Sequence, residues 1–570
     1  MLSPDIQAKV QAWTNAPYDA NTQAEVQKML NEERDNDLTD AFYQDLEFGT
    51  GGLRGIMGVG SNRMNRYTVG ATTQGFAQYL RQTFPNETPR IVIAHDCRNN
   101  SSEFARLAAD VFSANGVQVY LFPELRPTPL VSFAIRYLKC HAGVVITASH
   151  NPKEYNGYKA YWNDGSQLVK PHDKNVLTEV QKIKVQDLRF EANPALIELL
   201  DDTVELAYLA EAKKLSLSPE AIQQANIKIA YTSIHGTGIT LVPKLLAEYG
   251  FKQVFITEAQ ATPDGNFPTV IYPNPEEAEA LTLGLARAKE VEADVLLGTD
   301  PDADRVGIAL KNHKGAWQLL NGNQTGVLLL AYLMQRKAWG DNAYIAKTIV
   351  TTELIDRIAE RNNITCYNTL TGFKYIAEIM REQEGKATYI GGCEESYGYL
   401  IGSEVRDKDA ISACALIAEA VAYAKSVGKT AFEYLLDMYL AYGLYHENLV
   451  SITKKGKAGA EEIQAMMKDF RENPPKQLAG SAVVEIRDYQ TGKIHNLATN
   501  KTTETGLESS NVLQFITANR AKVSARPSGT EPKIKFYFSL HAPLANISDY
   551  EATIASLETQ IKQIVVDLNV

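Results

Sequence analysis

At 570 residues with 45% hydrophobic side chains, the chain is too long for one core and reads as roughly three to five globular domains. Its 57 Lys and Arg against 68 Asp and Glu give a net charge of −11, which excludes a broad cationic surface for nucleic acid and means that any phosphate site must be built from local cations. Cys97, Cys140, Cys366, Cys393 and Cys414 form no C-x-x-C pair, the amino terminus has no basic-then-apolar leader and no uncharged apolar run reaches spanning length, so the expectation is a cytoplasmic protein without structural zinc or a membrane partner.

Residues 1–46 carry Ile6, Val10 and Trp13 at helical intervals in a polar background and read as a helical extension. Next comes Glu47-Phe-Gly-Thr-Gly-Gly-Leu-Arg-Gly-Ile-Met-Gly58. Its glycines permit backbone turns. A dinucleotide fingerprint would need glycine where Arg54 stands; the expectation is instead a flexible turn in which Arg54 can meet an anion. From Arg90 the pattern becomes strand, helix, strand: Ile91–His95, an apolar repeat through Phe104, Ala108 and Phe112, then Val117–Phe122. Asp96 and Arg98, just past the first of these strands, are as well suited to capping the helix and pairing on the surface as to touching a ligand.

The run Val144-Val-Ile146 stops at Thr147-Ala-Ser-His-Asn-Pro-Lys-Glu-Tyr-Asn-Gly-Tyr-Lys159. Ser149 thus lies just past a strand end, where open α/β sheets bind ligands, and His150 and Lys159 give its hydroxyl the surroundings of a nucleophile or phosphate carrier. The same residues also suit an ordinary turn in which Ser149 bonds its own backbone. A second module repeats the pattern, with Ile227–Thr232, a helix ending at Gly250, and Asp294–Leu297 leading into Gly298-Thr-Asp-Pro-Asp-Ala-Asp-Arg305. Asp300, Asp302 and Asp304 at alternate positions can surround a hard cation, and without one their crowding would raise their pKa values. An EF-hand is excluded because Arg305 and Lys311 occupy the positions of its glycine and last glutamate.

A third module holds the strand Tyr344–Val350, the turn Leu370-Thr-Gly-Phe-Lys374, a short strand Thr388–Ile390, and Gly391-Gly-Cys-Glu-Glu-Ser-Tyr-Gly398, read as a loop. Glu394 and Ser396 there can bond sugar hydroxyls or simply face water. From about 446 the pattern becomes a charged helical stretch, then strands around Ala482–Ile486. Val523-Ser-Ala-Arg-Pro-Ser-Gly-Thr-Glu-Pro532 follows, in which Arg526, Ser528, Gly529 and Thr530 can cradle a phosphate or form a plain hairpin turn. An amphipathic helix with Ile554, Leu557, Ile561 and Leu568 on one face closes the chain.

These segments resemble, in order, those of the α-D-phosphohexomutases, the superfamily of phosphoglucomutases and phosphomannomutases, from about Phe48 to Tyr537. Gly51 replaces a serine of the family's Gly-Thr-Ser-Gly-Leu-Arg motif and Cys393 a glycine of its sugar loop. The resemblance implies three α/β domains with mixed sheets (47–205, 206–319, 320–445) and a smaller α+β domain (446–570) around a central cleft. It implies that Ser149 carries the transferred phosphoryl group, with Arg54, His150, Lys159 and Lys408 as catalytic groups. Ser149, Asp300, Asp302 and Asp304 would bind Mg²⁺, and Arg305, Thr371, Gly372, Glu394, Ser396, Arg526, Ser528, Gly529 and Thr530 would bind substrate. No histidine lies between Glu394 and Lys408, which leaves Lys159 as the proton handler. The implied activity is an intramolecular phosphotransfer, first between glucose 1-phosphate and glucose 6-phosphate, then mannose or pentose phosphates, or else phosphomonoester hydrolysis. Glucose 1,6-bisphosphate would be its activator, and the enzyme would be a monomer or homodimer.

Overall fold

The structure, a computed structural model, describes residues 2–46, 49, 52–454, 456–528 and 533–570. Three helices, Pro4–Trp13, Ala20–Asn31 and Asp35–Phe42, open the chain. The Asp19 carboxylate accepts the N–H groups of Asn21 and Thr22, both at 3.0 Å, which starts the second helix. Together they bury Val10, Trp13, Val26 and Phe42 against Tyr67, so this extension is docked rather than free.

The first sheet contains β1 (Gly52–Ile56), β2 (Arg90–His95), β3 (Gln118–Leu121), β4 (Ala142–Ile146), β5 (Tyr155–Trp162) and β6 (Ile197–Leu199), ordered β1-β5-β4-β2-β3-β6. The second contains β7 (Lys228–Thr232), β8 (Gln253–Ile256), β9 (Val295–Thr299), β10 (Val306–Lys311) and β11 (Trp317–Leu320), ordered β11-β10-β9-β7-β8. The third contains β12 (Ala343–Thr348), β13 (Thr365–Thr369), β14 (Thr388–Glu394) and β15 (Gly398–Ile401), ordered β13-β12-β14-β15.

All three sheets use one device. Parallel strands joined through helices form the centre, and one of them then doubles back into an antiparallel neighbour: β4 into β5, β9 into β10, β14 into β15. The central strands β4 and β9 are buried along their whole length, as their unbroken apolar runs require. The serine, triple-aspartate and glutamate-serine segments each occupy one of the three reversals.

The fourth sheet is antiparallel: β16 (Leu444–Thr453), β17 (Gln477–Leu478), β18 (Ser481–Asp488), β19 (Lys493–Asn496), β20 (Lys501–Glu504), β21 (Leu513–Thr517), β22 (Lys522–Pro527) and β23 (Lys533–Ala542), with β17 set beside β18. The Arg526 segment again lies at a reversal, between β22 and β23. The helix Tyr550–Leu568 buries Leu557, Ile561, Ile564 and Leu568. Among the described residues no single helix is long and apolar enough to cross a membrane.

Two expectations change. Gly52–Ile56 is an edge strand rather than a turn. A Cβ on Gly52 would lie 1.8 Å from the Tyr158 carbonyl oxygen, so that glycine serves close pairing with β5 rather than a bend. The fourth unit begins with β16, paired to β23 over its ten residues, and the charged helix Gly456–Glu472 comes after it. The helix Thr203–Lys213 and β16 span positions 205/206 and 445/446.

Trp13→Ala removes the centre of the amino-terminal cluster. Amide exchange over residues 4–42 should accelerate by about tenfold or more while β9 keeps its protection, measured by hydrogen exchange with mass detection.

Candidate active site

The serine loop is held from below. Ser149 has a left-handed backbone (φ 51°), uncommon for a residue with a Cβ. Its N–H donates to Thr147 Oγ1 at 2.8 Å. Arg98 donates to the carbonyl oxygens of Ser149 (2.5 Å), Pro152 (2.8 Å), Tyr155 (3.1 Å) and Asn151. Asp96 pairs with Arg98 at 3.3 Å, and both side chains are fully buried. These two residues are therefore neither a surface pair nor a simple helix cap: a buried loop needs donors for its carbonyl groups, and one guanidinium supplies them.

Ser149 Oγ donates to Asp300 Oδ2 at 2.8 Å, which joins the first sheet's loop to the second's. The other Asp300 oxygen accepts the N–H groups of Asp304 (3.1 Å) and Arg305 (3.0 Å). Lys159, from β5, places Nζ 2.7 Å from one oxygen of Asp302 and 2.7 Å from one of Asp304. Lys408, from the third unit, lies 3.3 Å from Asp304 and 3.1 Å from Asp407. Thr128 adds a 2.8 Å hydrogen bond to Asp302.

The electrostatics follow from this packing. Burial and the two neighbouring carboxylates push Asp300 well up. Burial also disfavours the Asp304 anion, but Lys159 and Lys408 overcome it and hold that carboxyl well below the usual range. Burial alone would lower the Lys159 amine, yet Asp302 and Asp304 raise it, so it stays protonated. One oxygen of Asp302 and one of Asp304 are buried without a hydrogen-bond partner, and ligand atoms of all three aspartates lie within 4.8 Å of one another. Oxygen donors with open lone pairs fit a hard divalent cation.

His150 sets Nδ1 3.2 Å from Ser149 Oγ. Burial, then the charges of Arg305 and Arg54, hold the ring's pKa well down, so it is neutral. Arg54, exposed on β1, donates to Asn151 Oδ1 at 3.1 Å.

The sugar-loop residues sit differently from expectation. β14 runs on through Gly391, Gly392 and Cys393 to Glu394, because parallel pairing to β12 and antiparallel pairing to β15 extend that far. Only Glu395–Tyr397 turn. Glu394 is buried, accepts the Gly372 N–H at 2.9 Å, and has its pKa raised to about 7 by burial, with Glu395 adding and Lys408 and Arg305 opposing. Thr371 Oγ1 is buried without a partner, and Ser396 is half-buried. Arg305 pairs with Glu276 and forms an antiparallel bridge to Gly398, while the Val306 N–H donates to the Tyr397 carbonyl at 3.1 Å. The triple-aspartate and glutamate-serine loops thus share backbone pairing.

In the fourth unit, Arg526 is half-buried at the end of β22 and the Ser528 N–H donates to the Lys533 carbonyl at 2.7 Å. Gly529 and Thr530 lie outside the described residues, as do Glu47, Phe48, Thr50 and Gly51. The structure unites Ser149, His150, Lys159, Asp300, Asp302, Asp304 and Lys408 in one nest, with Arg305 and Glu394 on its third-unit side. Thr128 and Glu276 were not legible in the sequence: each is one polar residue whose partner is distant along the chain, with no local spacing to mark it.

Comparison with known proteins agrees with this arrangement. Residues 45–187, 206–315 and 321–442 match alpha/beta/alpha domains I, II and III of phosphoglucomutase/phosphomannomutase. A phosphoglucomutase of Staphylococcus haemolyticus is 37% identical over 90% of this chain and 92% of its own. One of Staphylococcus aureus is 36% identical over 91% and 94%. Among solved structures, parafusin, a phosphoglucomutase from Paramecium in its open form, superposes with a TM-score of 0.69 at 18% identity, covering 92% of this chain and 96% of its own. A phosphoglucomutase/phosphomannomutase family protein from Burkholderia thailandensis does so at 0.64 and 17%, covering 92% and 97%. Fold and site together define a mutase that moves phosphoryl groups on sugars. The chain belongs to the phosphoglucomutase/phosphomannomutase family, within the α-D-phosphohexomutase superfamily, and is an isomerase.

The raised pKa of Glu394 gives a pH test. Its folded value of about 7 stands above the ordinary 4.5, so its contribution to stability is complete below about pH 4.5 and is lost as pH rises to 7. Thermal midpoints of the ligand-free protein should show a shallower fall over this range in Glu394→Gln than in wild type. Glu447, also raised to about 7 by burial, leaves a residual slope of the same sign.

Proposed function

We propose that this phosphosugar mutase interconverts α-D-glucose 1-phosphate and glucose 6-phosphate through a phosphoserine at Ser149. The observation that carries the reading is the Ser149 hydroxyl at 2.8 Å from Asp300, inside a carboxylate nest closed by Lys159 and Lys408. The names of the relatives at 36% and 37% identity support glucose as the sugar.

In the first half-reaction a free sugar hydroxyl oxygen bonds the phosphorus carried on Ser149 and the Oγ–P bond breaks; the second is the reverse, with Oγ bonding the phosphorus of the other phosphate as its bond to the sugar oxygen breaks. In the first the hydroxyl loses its proton and Oγ gains one, so the site's protonation is unchanged and nothing is oxidised. The product of the first is glucose 1,6-bisphosphate; it turns over in the cleft and returns its other phosphoryl group to Ser149. The neutral His150 ring, 3.2 Å from Oγ, exchanges the proton at that oxygen. Lys159, already protonated, acts as an acid or a fixed charge rather than as a base. Bound Mg²⁺, held by Asp300, Asp302, Asp304 and the Ser149 oxygen, would supply positive charge against the phosphoryl oxygens.

Arg54, Arg305 and Lys408 add positive charge around the transferring group. Glu394, Ser396, Thr371 and Gly372 contact sugar hydroxyls, and the loop of Arg526, Ser528, Gly529 and Thr530 holds the phosphate that is not transferred. The same reading divides the chain into a helical extension to residue 46 and four domains, 47–205, 206–319, 320–445 and 446–570. It also takes the protein as a cytoplasmic monomer or homodimer with sugar phosphates, not nucleic acid or membrane, as partners.

Parallel assays with glucose, mannose and ribose 1-phosphates, each with Mg²⁺ and a trace of the matching bisphosphate, test the assignment. Ser149→Ala should lower isomerisation by about a thousandfold or more, and Asp302→Ala by about a hundredfold or more with the fold retained. Release of inorganic phosphate without isomerisation would replace the mutase mechanism by hydrolysis, and a higher kcat/KM with mannose or ribose 1-phosphate would overturn glucose.

A further inference from the structure

One cation at the cleft is not absorbed by the mechanism. Lys374 stands in the first turn of the helix Phe373–Gln383, just past Thr371, Gly372 and Phe373. Most cations of the site have carboxylate partners: Lys159 and Lys408 hold the aspartates, Arg305 holds Glu276, and Lys170 pairs with Glu508 at 3.0 Å. Among the described residues Lys374 has neither an ion pair nor a hydrogen bond, and its Nζ lies only 4.9 Å from the Tyr375 ring centre. Its side chain is half-buried, and its stem passes close above Gly372, with Cγ 3.9 Å from where a Cβ on that glycine would stand.

The position is unfavourable for a cation on its own. The first turn of a helix presents the positive end of the backbone dipole, and this turn carries no acidic residue. Burial pushes the Lys374 amine down and Lys170 adds to that, while Asp173, Glu508 and Glu378 only partly oppose. Such a charge is stabilised when an anion arrives.

The surroundings identify the anion. Tyr375, the next residue, packs with Leu507 against a cluster that joins Ile349 and Leu370 of the third unit to Tyr489 and Tyr537 of the fourth. Tyr537 lies on β23, and the Arg526 guanidinium on the adjacent strand is near enough to act on both Tyr375 and Tyr537. Lys374 therefore stands at the seam where the third unit meets the Arg526 loop, two residues past the Gly372 N–H that bonds Glu394.

We propose that Lys374 is a further substrate-binding residue, which with Arg526 grips the phosphate dianion of the sugar that is not being transferred. This rests on the mutase reading above. It makes recognition of that phosphate a joint task of two units: Arg526 from the fourth supplies a planar donor fork and Lys374 from the third a point charge. Binding of a phosphorylated sugar then draws the two units together, whereas an unphosphorylated sugar lacks the group that does so.

The test uses the full-length protein with Mg²⁺ and three forms of position 374. Dissociation constants of glucose, mannose and ribose bisphosphates and of inorganic phosphate are measured by calorimetry for wild type, Lys374→Met and Lys374→Arg. The probe that wild type binds most tightly should bind about tenfold more weakly to Lys374→Met and recover most of that loss in Lys374→Arg. In turnover the same substitution should raise KM while kcat changes by less than about twofold, because a contact kept unchanged through each phosphoryl transfer contributes to binding rather than to the chemical step. Unchanged affinity in Lys374→Met, whichever probe is used, overturns the proposal. A fall in kcat at constant KM overturns it as well, since it would place Lys374 at the reacting end. Preference of wild type for mannose or ribose bisphosphate refutes only the choice of sugar, and the comparison at position 374 is then read with that sugar.

Discussion

The structure depends on a buried charge nest in which Lys159, Asp302, Asp304 and Lys408 neutralise one another across three sheets. Removing such groups from water costs several kcal/mol per ion, and only close, mutually satisfied partners offset that. Each partner comes from a different unit: Lys159 from β5, the aspartates from the β9–β10 reversal, Lys408 from the segment before the helix Ala410–Ser426. The nest therefore closes only when the three units are docked, and the docking is also what brings the Ser149 hydroxyl to Asp300. Gly398 is part of the same constraint, because a Cβ there would stand 2.1 Å from Lys408 Cδ.

The reversal of a parallel strand into an antiparallel neighbour explains why one sequence can place chemistry three times over. The turn at each reversal sits at the carboxyl end of a buried strand, so its residues are anchored by pairing on both sides and open onto the cleft. The first two of these anchored turns each hold a non-glycine residue with a left-handed backbone, Ser149 and Ala303, with φ of 51° and 52°. Arg98 beneath the first turn, and Thr237 beneath the second, which donates twice to the Pro301 carbonyl at 2.8 Å, hold them there.

The fourth unit is joined differently. Lys522 pairs with Glu353 at 3.3 Å and donates to the Ile349 carbonyl at 3.1 Å, Gln514 donates to the same carbonyl at 3.0 Å, and an aromatic cluster around Tyr537 covers these contacts. Across the cleft mouth the first and fourth units meet through Lys170 and Glu508, both about half exposed, a pair that contributes little to stability. The firm seam runs between the third and fourth units, and the weak one between the fourth and the first.

Much of the architecture was legible from local chemistry. Unbroken apolar runs mark β4 and β9 as central strands, turn-forming residues mark where they stop, and three aspartates at alternate positions mark a cation site, because each of these depends on neighbours in the chain. The resemblance to the phosphohexomutases placed the same segments in the same order. Local chemistry failed where long-range pairing prevailed. The glycines of Gly52–Ile56 read as a turn until β5 made them a strand, and Glu394 read as part of a loop until pairing to β15 reached as far as it. Asp96 and Arg98 read equally well as a surface pair until the serine loop was laid over them. By itself the sequence determined which residue types stand at which strand ends; only the tertiary structure decided which cation meets which carboxylate, because a charge partner from another sheet has no fixed distance along the chain.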